Sequence, residues 1–203
     1  MPGLTNRQLK AQETKKRILD TALELFGEKG FDHVTVDEIA AKSGTSKGAF
    51  YVHFNSKYDI FLEKFKEIDE FYADFMETLP KEMNSYEKIA LLVKSQMIYL
   101  RDCLGKDLLR TVYVSALIPN KSDYFSNMER QLYKIVYKLV EEGQMEGEIK
   151  EERSPSELTM LITRCMRGTL YDWQLFEQFD LVAEGEKFIS AILEGIQREF
   201  KRK

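Results

Sequence analysis

Apolar residues recur at intervals of three and four along most of the chain, the spacing that places them on one face of an α-helix. Between residues 12 and 29 this stripe consists of Ile18, Leu19, Ala22, Leu25 and Phe26, and Gly30 is expected to end the helix. From Lys57 to about Thr78 a longer stripe contains Ile60, Phe61, Phe65, Ile68, Phe71, Tyr72 and Phe75. The pattern predicts a long helix there, which Pro80 ends.

The same periodicity continues beyond residue 80. It predicts further helices through Ile89 to Leu104, through Leu108 to Tyr113 and ending before Pro119, through Phe125 to Leu139, through Leu158 to Trp173, and through Leu181 to Phe200. Gly143 and Gly147 are expected to close the third of these, and Ser154 with Pro155 and Glu157 to open the fourth. The fold class is therefore predicted to be all-α.

The stretch from Thr35 to Lys57 predicts two short helices joined by a tight turn. Thr35 and Glu38 have capping-box spacing, so a helix is expected to start at Val36, and Gly44 suits the left-handed residue that ends it. Ser46 then caps a second helix, from Lys47 to about Val52. Two helices joined by a glycine turn are typical of a helix-turn-helix, whose second helix enters the DNA major groove.

The residues of the second helix favour contact with DNA. Lys47, Gly48 and Ala49 supply a cation and two small side chains that let the backbone approach a groove. Tyr51 and His53 are donors suited to phosphate oxygens, and Lys57 lies near the start of the next helix, where free N–H groups also attract phosphate. Phe50 and Phe54 are expected to face inward. The alternative is an ordinary helical hairpin with a solvated polar face.

The run SGTSKGAFYVHFNSKYDI resembles the DNA-binding signature of the TetR family of bacterial transcriptional regulators. The resemblance covers about the first quarter of the chain. It implies about nine helices, with a three-helix DNA-binding head at residues 1–57 and a ligand-binding and dimerisation bundle at residues 58–203. Candidate DNA contacts are Thr35, Thr45, Ser46, Lys47, Gly48, Ala49, Tyr51, His53 and Lys57. Thr45 departs from the family, which usually has Val there, so its hydroxyl is open to packing, capping or DNA contact.

The distribution of charge agrees with a DNA-binding head. The formal net charge of the chain is −4, but residues 1–57 contain nine basic against seven acidic side chains, and residues 58–203 contain 21 against 27. A mildly basic head on an acidic body fits a protein that presents one end to nucleic acid. Residues 1 to about 9 are interpreted either as a mobile arm, with Arg7 and Lys10 near DNA, or as an uninvolved tail.

Other sequence features limit the choice of compartment and chemistry. No apolar run of 18 residues occurs, and the first residues lack the apolar centre of a signal peptide, so a soluble, cytoplasmic protein without a membrane partner is expected. Cys103 and Cys165 lie in apolar helical patterns, which favours buried thiols over a redox pair. No zinc or phosphate-loop motif is present, and no cofactor is expected.

The last two predicted helices carry more apolar surface than one face of a small bundle needs. Contiguous apolar surface of this kind indicates association, and the resemblance implies a four-helix bundle formed with the same helices of a second copy. Gly168 and Gly185 are candidates for close helix approach. The alternative is a purely internal core. The residues predicted at the homodimer interface are Leu158, Ile162, Trp173, Phe188, Ile192 and Ile196.

The middle helices are rich in methionine and aromatic residues, which suit a cavity for a large apolar ligand. At helical spacing many of them must simply be core. The predicted ligand-binding residues are Phe75, Met97, Tyr113, Met128, Met166 and Tyr171. Arg164 and Arg167 are further candidates for an anionic group, unless they pair with neighbouring acids.

The sequence admits three classes of function. The sequence favours a ligand-responsive repressor that binds a palindromic operator as a homodimer. Its DNA affinity is expected to be switched by an apolar small molecule, such as a long-chain acyl compound or a bulky aromatic. An enzyme is the first alternative, but His33 and His53 have no Cys, Ser or carboxylate at a catalytic spacing. A helical module that binds only protein is the second, and it has no use for the small, basic start of the second helix.

Overall fold

The computed structural model describes residues 5–80, 82–116, 125 and 127–197, without the side chains of residues 61, 65, 66, 115 and 116. Within these ranges there is no β-strand, so the predicted all-α class is confirmed. The helices are α1 Asn6–Lys29, α2 Val36–Lys42, α3 Lys47–His53, α4 Lys57–Thr78, α5 Ser85–Tyr99, α6 Gly105–Ala116, α7 Gln131–Met145, α8 Pro155–Leu175 and α9 Leu181–Ile196. A short 3₁₀ turn spans Phe31–His33, and a π-helical turn spans Leu100–Leu104 between α5 and α6.

The chain divides into two compact units, Met1–Glu67 and Ile68–Lys203. The division lies ten residues beyond the boundary expected at residue 57, because the first turns of α4 belong to the first unit. Tyr58 and Ile60, on those turns, are 5% and 0% exposed and form part of that unit's core. Helix α4 therefore begins in the first unit and ends in the second.

The first unit contains three helices around one small core, with α1 packed against both α2 and α3. The buried side chains that fill this core are Ile18, Ala22, Leu25, Phe26, Val34, Ile39, Phe50 and Phe54. Four of them, Ile18, Ala22, Leu25 and Phe26, are positions that the helical periodicity placed inward. The three-helix head implied by the family resemblance is thus present within this unit.

In the second unit, α5 packs on α7 and α9, and α8 packs on α6, α7 and α9. Two glycines permit close contact between its elements. A Cβ atom added to Gly185 of α9 would lie 2.8 Å from Met97 Cγ of α5, and one added to Gly143 of α7 would lie 2.7 Å from Ile149 Cδ1. The close approach predicted for Gly185 occurs inside the chain. Gly143 lies within α7, and the left-handed residue beyond that helix is Gly147, with φ of 74°.

Several local expectations differ from the structure. Helix α1 begins at Asn6, because Thr5 and Gln8 form a capping box, so residues 6–9 are helical and not a mobile arm. Phe125 and Met128 precede α7. Cys103 is exposed, contrary to the prediction of a buried thiol, because its turn is π-helical and rotates it out of the apolar stripe. Cys165 is half-buried, and burial raises the pKa of its thiol.

The predictions for residues 1–4, Pro119 and Phe200, and those for the side chains of Phe61 and Phe65, lie outside the described residues. Among the helices that are described, none is both long enough and apolar enough to cross a membrane.

Candidate nucleic-acid interface

Two capped helices and a glycine turn form the helix-turn-helix. The Thr35 hydroxyl accepts a hydrogen bond from the Glu38 amide at 3.2 Å, and the Ser46 hydroxyl accepts one from the Ala49 amide at 3.0 Å. Gly44 has φ of 63°, a conformation that favours glycine. The predicted starts of both helices are therefore confirmed. The reciprocal half of the first capping box is absent, because the Glu38 carboxylate pairs with Lys29.

Aromatic residues fix the inner side of α3. Phe50 is 0% exposed and Phe54 is 3% exposed, and their ring centroids lie 5.8 Å apart. The inward orientation predicted for both is confirmed. Helix α3 is only two turns long, and with Phe50 buried its exposed residues include Lys47, Gly48 and Tyr51. This outer face combines a cation, a small residue and a phenol.

Val52 also belongs to the outer face, and the sequence reasoning missed it. Its side chain is 78% exposed, more than that of Tyr51 at 49%. In the sequence it lies among aromatic residues and looks like core. Only its position two residues after the buried Phe50, on the opposite side of a helix, marks it as a surface residue. A solvent-exposed valine of this kind is suited to contact with a thymine methyl group.

Lys47 is paired with an acid from the preceding helix. Its ammonium lies 2.9 Å from a carboxylate oxygen of Asp37, and both side chains are more than half exposed. The hydrogen bond with Asp37 raises the pKa of Lys47, and the opposite charge adds to that effect. An exposed pair of this kind is weak and screened by salt, so Lys47 is available to exchange Asp37 for a nucleic-acid acceptor.

The hydroxyl of Thr45 belongs to the turn. It lies 2.9 Å from the Ser43 hydroxyl, which donates a hydrogen bond to the Ala40 carbonyl at 3.2 Å. Because Ser43 uses its proton on Ala40, Thr45 is the donor in the first of these bonds. The Thr45 hydroxyl therefore helps to hold the turn between α2 and α3, a role that was not predicted from the sequence.

Lys57 does not present its charge to the surface as expected. Its ammonium donates to the carbonyl oxygens of Phe31 at 2.5 Å and Val34 at 2.7 Å, and lies 4.3 Å from the centroid of the Phe31 ring. Burial lowers the pKa of Lys57. The remaining predicted contacts occupy varied positions: Thr35 and Ser46 are exposed caps, Ala49 is half-buried, and His53 ends α3 with its side chain half-buried.

The six predicted ligand-binding residues do not share one environment in the second unit. Met97 and Met166 are 0% and 1% exposed, whereas Met128 and Tyr171 lie on the surface. Phe75 is half-buried. The Tyr113 hydroxyl donates to the Arg167 carbonyl at 2.9 Å, and burial raises the pKa of Tyr113. Arg167, a candidate for binding an anion, donates instead to the Phe125 carbonyl at 3.0 Å.

The predicted dimer residues also separate into two groups. Leu158, Ile162 and Trp173 are buried within their own chain, at most 8% exposed. Phe188, Ile192 and Ile196 are half-exposed. The residues predicted on α8 from the sequence lie on the inner side of its wide apolar stripe. The apolar residues on its outer side are Leu161, Tyr171 and Leu175, at 40%, 51% and 57% exposure. A Cβ atom at Gly168, on that side, would meet nothing within 4 Å.

Comparisons with known proteins agree with this architecture. Residues 18–63 match the sequence profile described as "Bacterial regulatory proteins, tetR family". The fatty acid metabolism regulator protein of Bacillus subtilis is 26% identical over 194 residues, covering 90% of this chain and 95% of that protein. The transcriptional repressor BepR of Brucella suis is 26% identical over 201 residues, covering 92% and 93%.

Solved structures give the same result. The transcriptional regulator FadR of Bacillus subtilis, crystallised with stearoyl-CoA, superimposes with a TM-score of 0.72 at 25% identity, covering 89% of this chain and 98% of that one. These relatives are regulators and not enzymes. Residues 18–63 thus match the TetR family of bacterial regulatory proteins, and the chain as a whole resembles transcriptional regulators.

Proposed function

We propose that this protein is a homodimeric repressor that binds a palindromic operator and releases it when a long-chain acyl-CoA binds to the second unit. The observation that carries the DNA-binding part is the structure of α3. Its aromatic side is locked inward by Phe50, and its outer face presents Lys47, Gly48, Tyr51 and Val52. These side chains provide a charged donor, close backbone approach, a phosphate donor and an apolar contact.

The remaining members of the proposed DNA surface act around this face. Thr35, Ser46 and Ala49 lie at the starts of α2 and α3, where the positive end of the helix dipole favours phosphate. His53, at the end of α3, is a further phosphate donor. Thr45 acts through the shape of the turn and not through direct contact.

The proposed dimer uses the outer sides of α8 and α9. Leu161, Gly168 and Leu175 lie seven residues apart, so they form one straight stripe on α8. On α9, Phe188, Ile192 and Ile196 are half-exposed, and a Cβ atom at Gly195 would meet nothing within 4 Å. Open glycines on two apolar helix faces favour packing against a second copy of the same helices.

The effector proposal rests on the relative crystallised with stearoyl-CoA and on the aromatic content of the second unit. Phe71 stacks on Tyr99 with 4.5 Å between ring centroids, and on Phe75 with 6.1 Å. Of the predicted lining residues, Phe75 and Tyr113 keep partly exposed apolar surface, so we place the acyl chain near them. Met97 and Met166 are buried, so the ligand has to displace their side chains in order to contact them.

A long acyl chain has enough apolar surface to operate such a switch. Shifting a population from 99:1 to 1:99 needs a difference in binding free energy of about 5.5 kcal/mol. Each buried methylene contributes about 0.8 kcal/mol, so about seven methylenes buried only in the released state are sufficient. Because α4 begins in the first unit and ends in the second, its displacement is the proposed route by which the ligand moves α3.

The experiment starts from a DNA duplex that the protein itself selects from a random pool. Stearoyl-CoA is then titrated into the complex while fluorescence anisotropy reports the bound fraction, with free coenzyme A as the matched control. The proposal expects release by stearoyl-CoA and none by coenzyme A at the same concentration. Equal effects of the two compounds, or no effect from either, would contradict the effector assignment. The proposal that the protein binds DNA would still stand.

A further inference from the structure

Lys57, the first residue of α4, turns its side chain back toward the segment that precedes α2. Its ammonium donates to two backbone carbonyls, 2.5 Å from the oxygen of Phe31 and 2.7 Å from that of Val34. The same group lies 4.3 Å from the centroid of the Phe31 ring. Two donors of a lysine are thus used inside the first unit, and the charge also rests against an aromatic ring.

The two carbonyls belong to the connection between α1 and α2. Phe31 opens the 3₁₀ turn Phe31–His33, and Val34 immediately precedes Thr35, which caps α2. Val34 is 1% exposed, so its side chain is anchored in the core while its carbonyl is held by Lys57. The Lys57 ammonium therefore holds the backbone segment that immediately precedes the helix-turn-helix.

The start of α4 is itself firmly held. Asp59 accepts hydrogen bonds from the Asn55 amide at 2.8 Å and from the Ser56 hydroxyl at 2.9 Å. The Asp59 amide in turn donates to the Ser56 hydroxyl at 3.3 Å. Because this first turn is fixed by its own caps, the Lys57 backbone moves with α4, and the side chain carries that movement to residues 31 and 34.

We propose that Lys57 is a positioning residue, which ties the first turn of α4 to the segment before α2 and so sets the placement of the recognition unit, and that it is not a phosphate contact. The inference rests on the proposed DNA-binding function. It adds a physical link between the long helix and the helix-turn-helix, since a displacement of α4 pulls on the two carbonyls that Lys57 holds.

The decisive variant is Lys57→Met, which keeps the aliphatic stem and removes the ammonium. Hydrogen exchange of the free protein is followed at the amides of Val34, Glu38 and Ile39, whose acceptors are Phe31 and Thr35. The proposal expects at least tenfold faster exchange at these amides than in the unmodified protein. The control is Lys138→Met, which removes the same charge from an exposed position on α7, and it is expected to leave these amides unchanged.

DNA binding supplies the second measurement. The selected duplex is titrated at several salt concentrations with the unmodified protein and Lys57→Met. If Lys57 is a positioning residue, we expect Lys57→Met to bind the duplex about tenfold more weakly, equivalent to about 1.4 kcal/mol. The slope of log affinity against log salt is expected to stay unchanged. Loss of a phosphate contact would instead flatten the slope by about 0.9.

Lys57→Arg separates the two roles further. Arginine keeps the charge and binds phosphate well, but its planar fork does not fit where a compact ammonium reaches two carbonyls. The positioning role expects Lys57→Arg to bind the duplex more weakly with an unchanged slope. Unchanged hydrogen exchange in Lys57→Met, or full affinity in Lys57→Arg, would overturn the proposal. The exchange experiment needs no DNA, so its outcome is independent of whether any duplex is selected.

Discussion

The proposed dimer surface makes the most direct quantitative prediction. Leu161 and Leu175 keep 40% and 57% of their surface exposed within one chain. Full burial of a leucine side chain contributes about 1.5–3 kcal/mol, so covering these remaining fractions contributes roughly 1.5–3 kcal/mol per protomer. A two-fold axis doubles the effect, to about 3–6 kcal/mol per dimer.

The double variant Leu161→Asp/Leu175→Asp removes this contribution and adds the cost of desolvating carboxylates. The apolar loss alone weakens dimerisation by roughly a factor of 10² to 10⁴. Sedimentation equilibrium over a wide range of protein concentration measures that change, and circular dichroism checks that the monomer is folded. Both leucines are surface residues in the single chain, so the fold itself is expected to survive.

The matched control is Val114→Asp/Met145→Asp. These side chains are 58% and 82% exposed, and they lie on α6 and at the end of α7 and not on the two helices of the proposed dimer surface. The control is expected to dimerise like the unmodified protein. A Leu161→Asp/Leu175→Asp variant that dimerises as tightly as the control would refute the assignment of the outer side of α8.

Three further predictions concern other parts of the molecule. Lys47→Ala is expected to weaken binding to the selected duplex more than to random DNA, and equal losses measured by anisotropy would exclude base reading by Lys47. Gly143→Ala places a Cβ atom 2.7 Å from Ile149 Cδ1, so it is expected to lower the free energy of unfolding in urea by about 1–3 kcal/mol. Gly27→Ala, whose Cβ atom would meet nothing within 4 Å, is expected to cause no such loss. Burial raises the pKa of Tyr72 in the folded protein, so above about pH 10 the unfolded chain loses this proton more readily than the folded one. The free energy of unfolding is therefore expected to fall above that pH, and to fall less steeply in Tyr72→Phe.

Signals that act over a few residues were well predicted from the sequence. The starts of α2, α3 and α8 were identified because Thr35, Ser46 and Ser154 each accept a hydrogen bond from an amide three residues on. The bounds of α4 were also correct, since a long aromatic stripe precedes Pro80. Such features depend on local backbone chemistry, which a single sequence records.

Tertiary geometry explains the failures. Periodicity identified the wide stripe on α8 but not which side faces its own chain, so Leu158 was assigned to the dimer surface although it is buried. The carbonyl partners of Lys57, on Phe31 and Val34, lie more than twenty residues earlier, so the place of Lys57 at a helix start could not predict them. Asp37, the partner of Lys47, carries no sequence signal that separates it from any other exposed acid.

The central claim, sequence-specific DNA binding by a two-fold dimer, is tested most directly by the duplex that the protein selects from a random pool. The account predicts an enriched palindrome whose half-sites are about 34 Å apart, or a multiple of that distance, because a dimer axis relates two copies of α3. It also predicts that Lys47→Ala loses affinity for that palindrome. A pool that remains unenriched after repeated selection, or an enriched site without two-fold symmetry, would contradict the account.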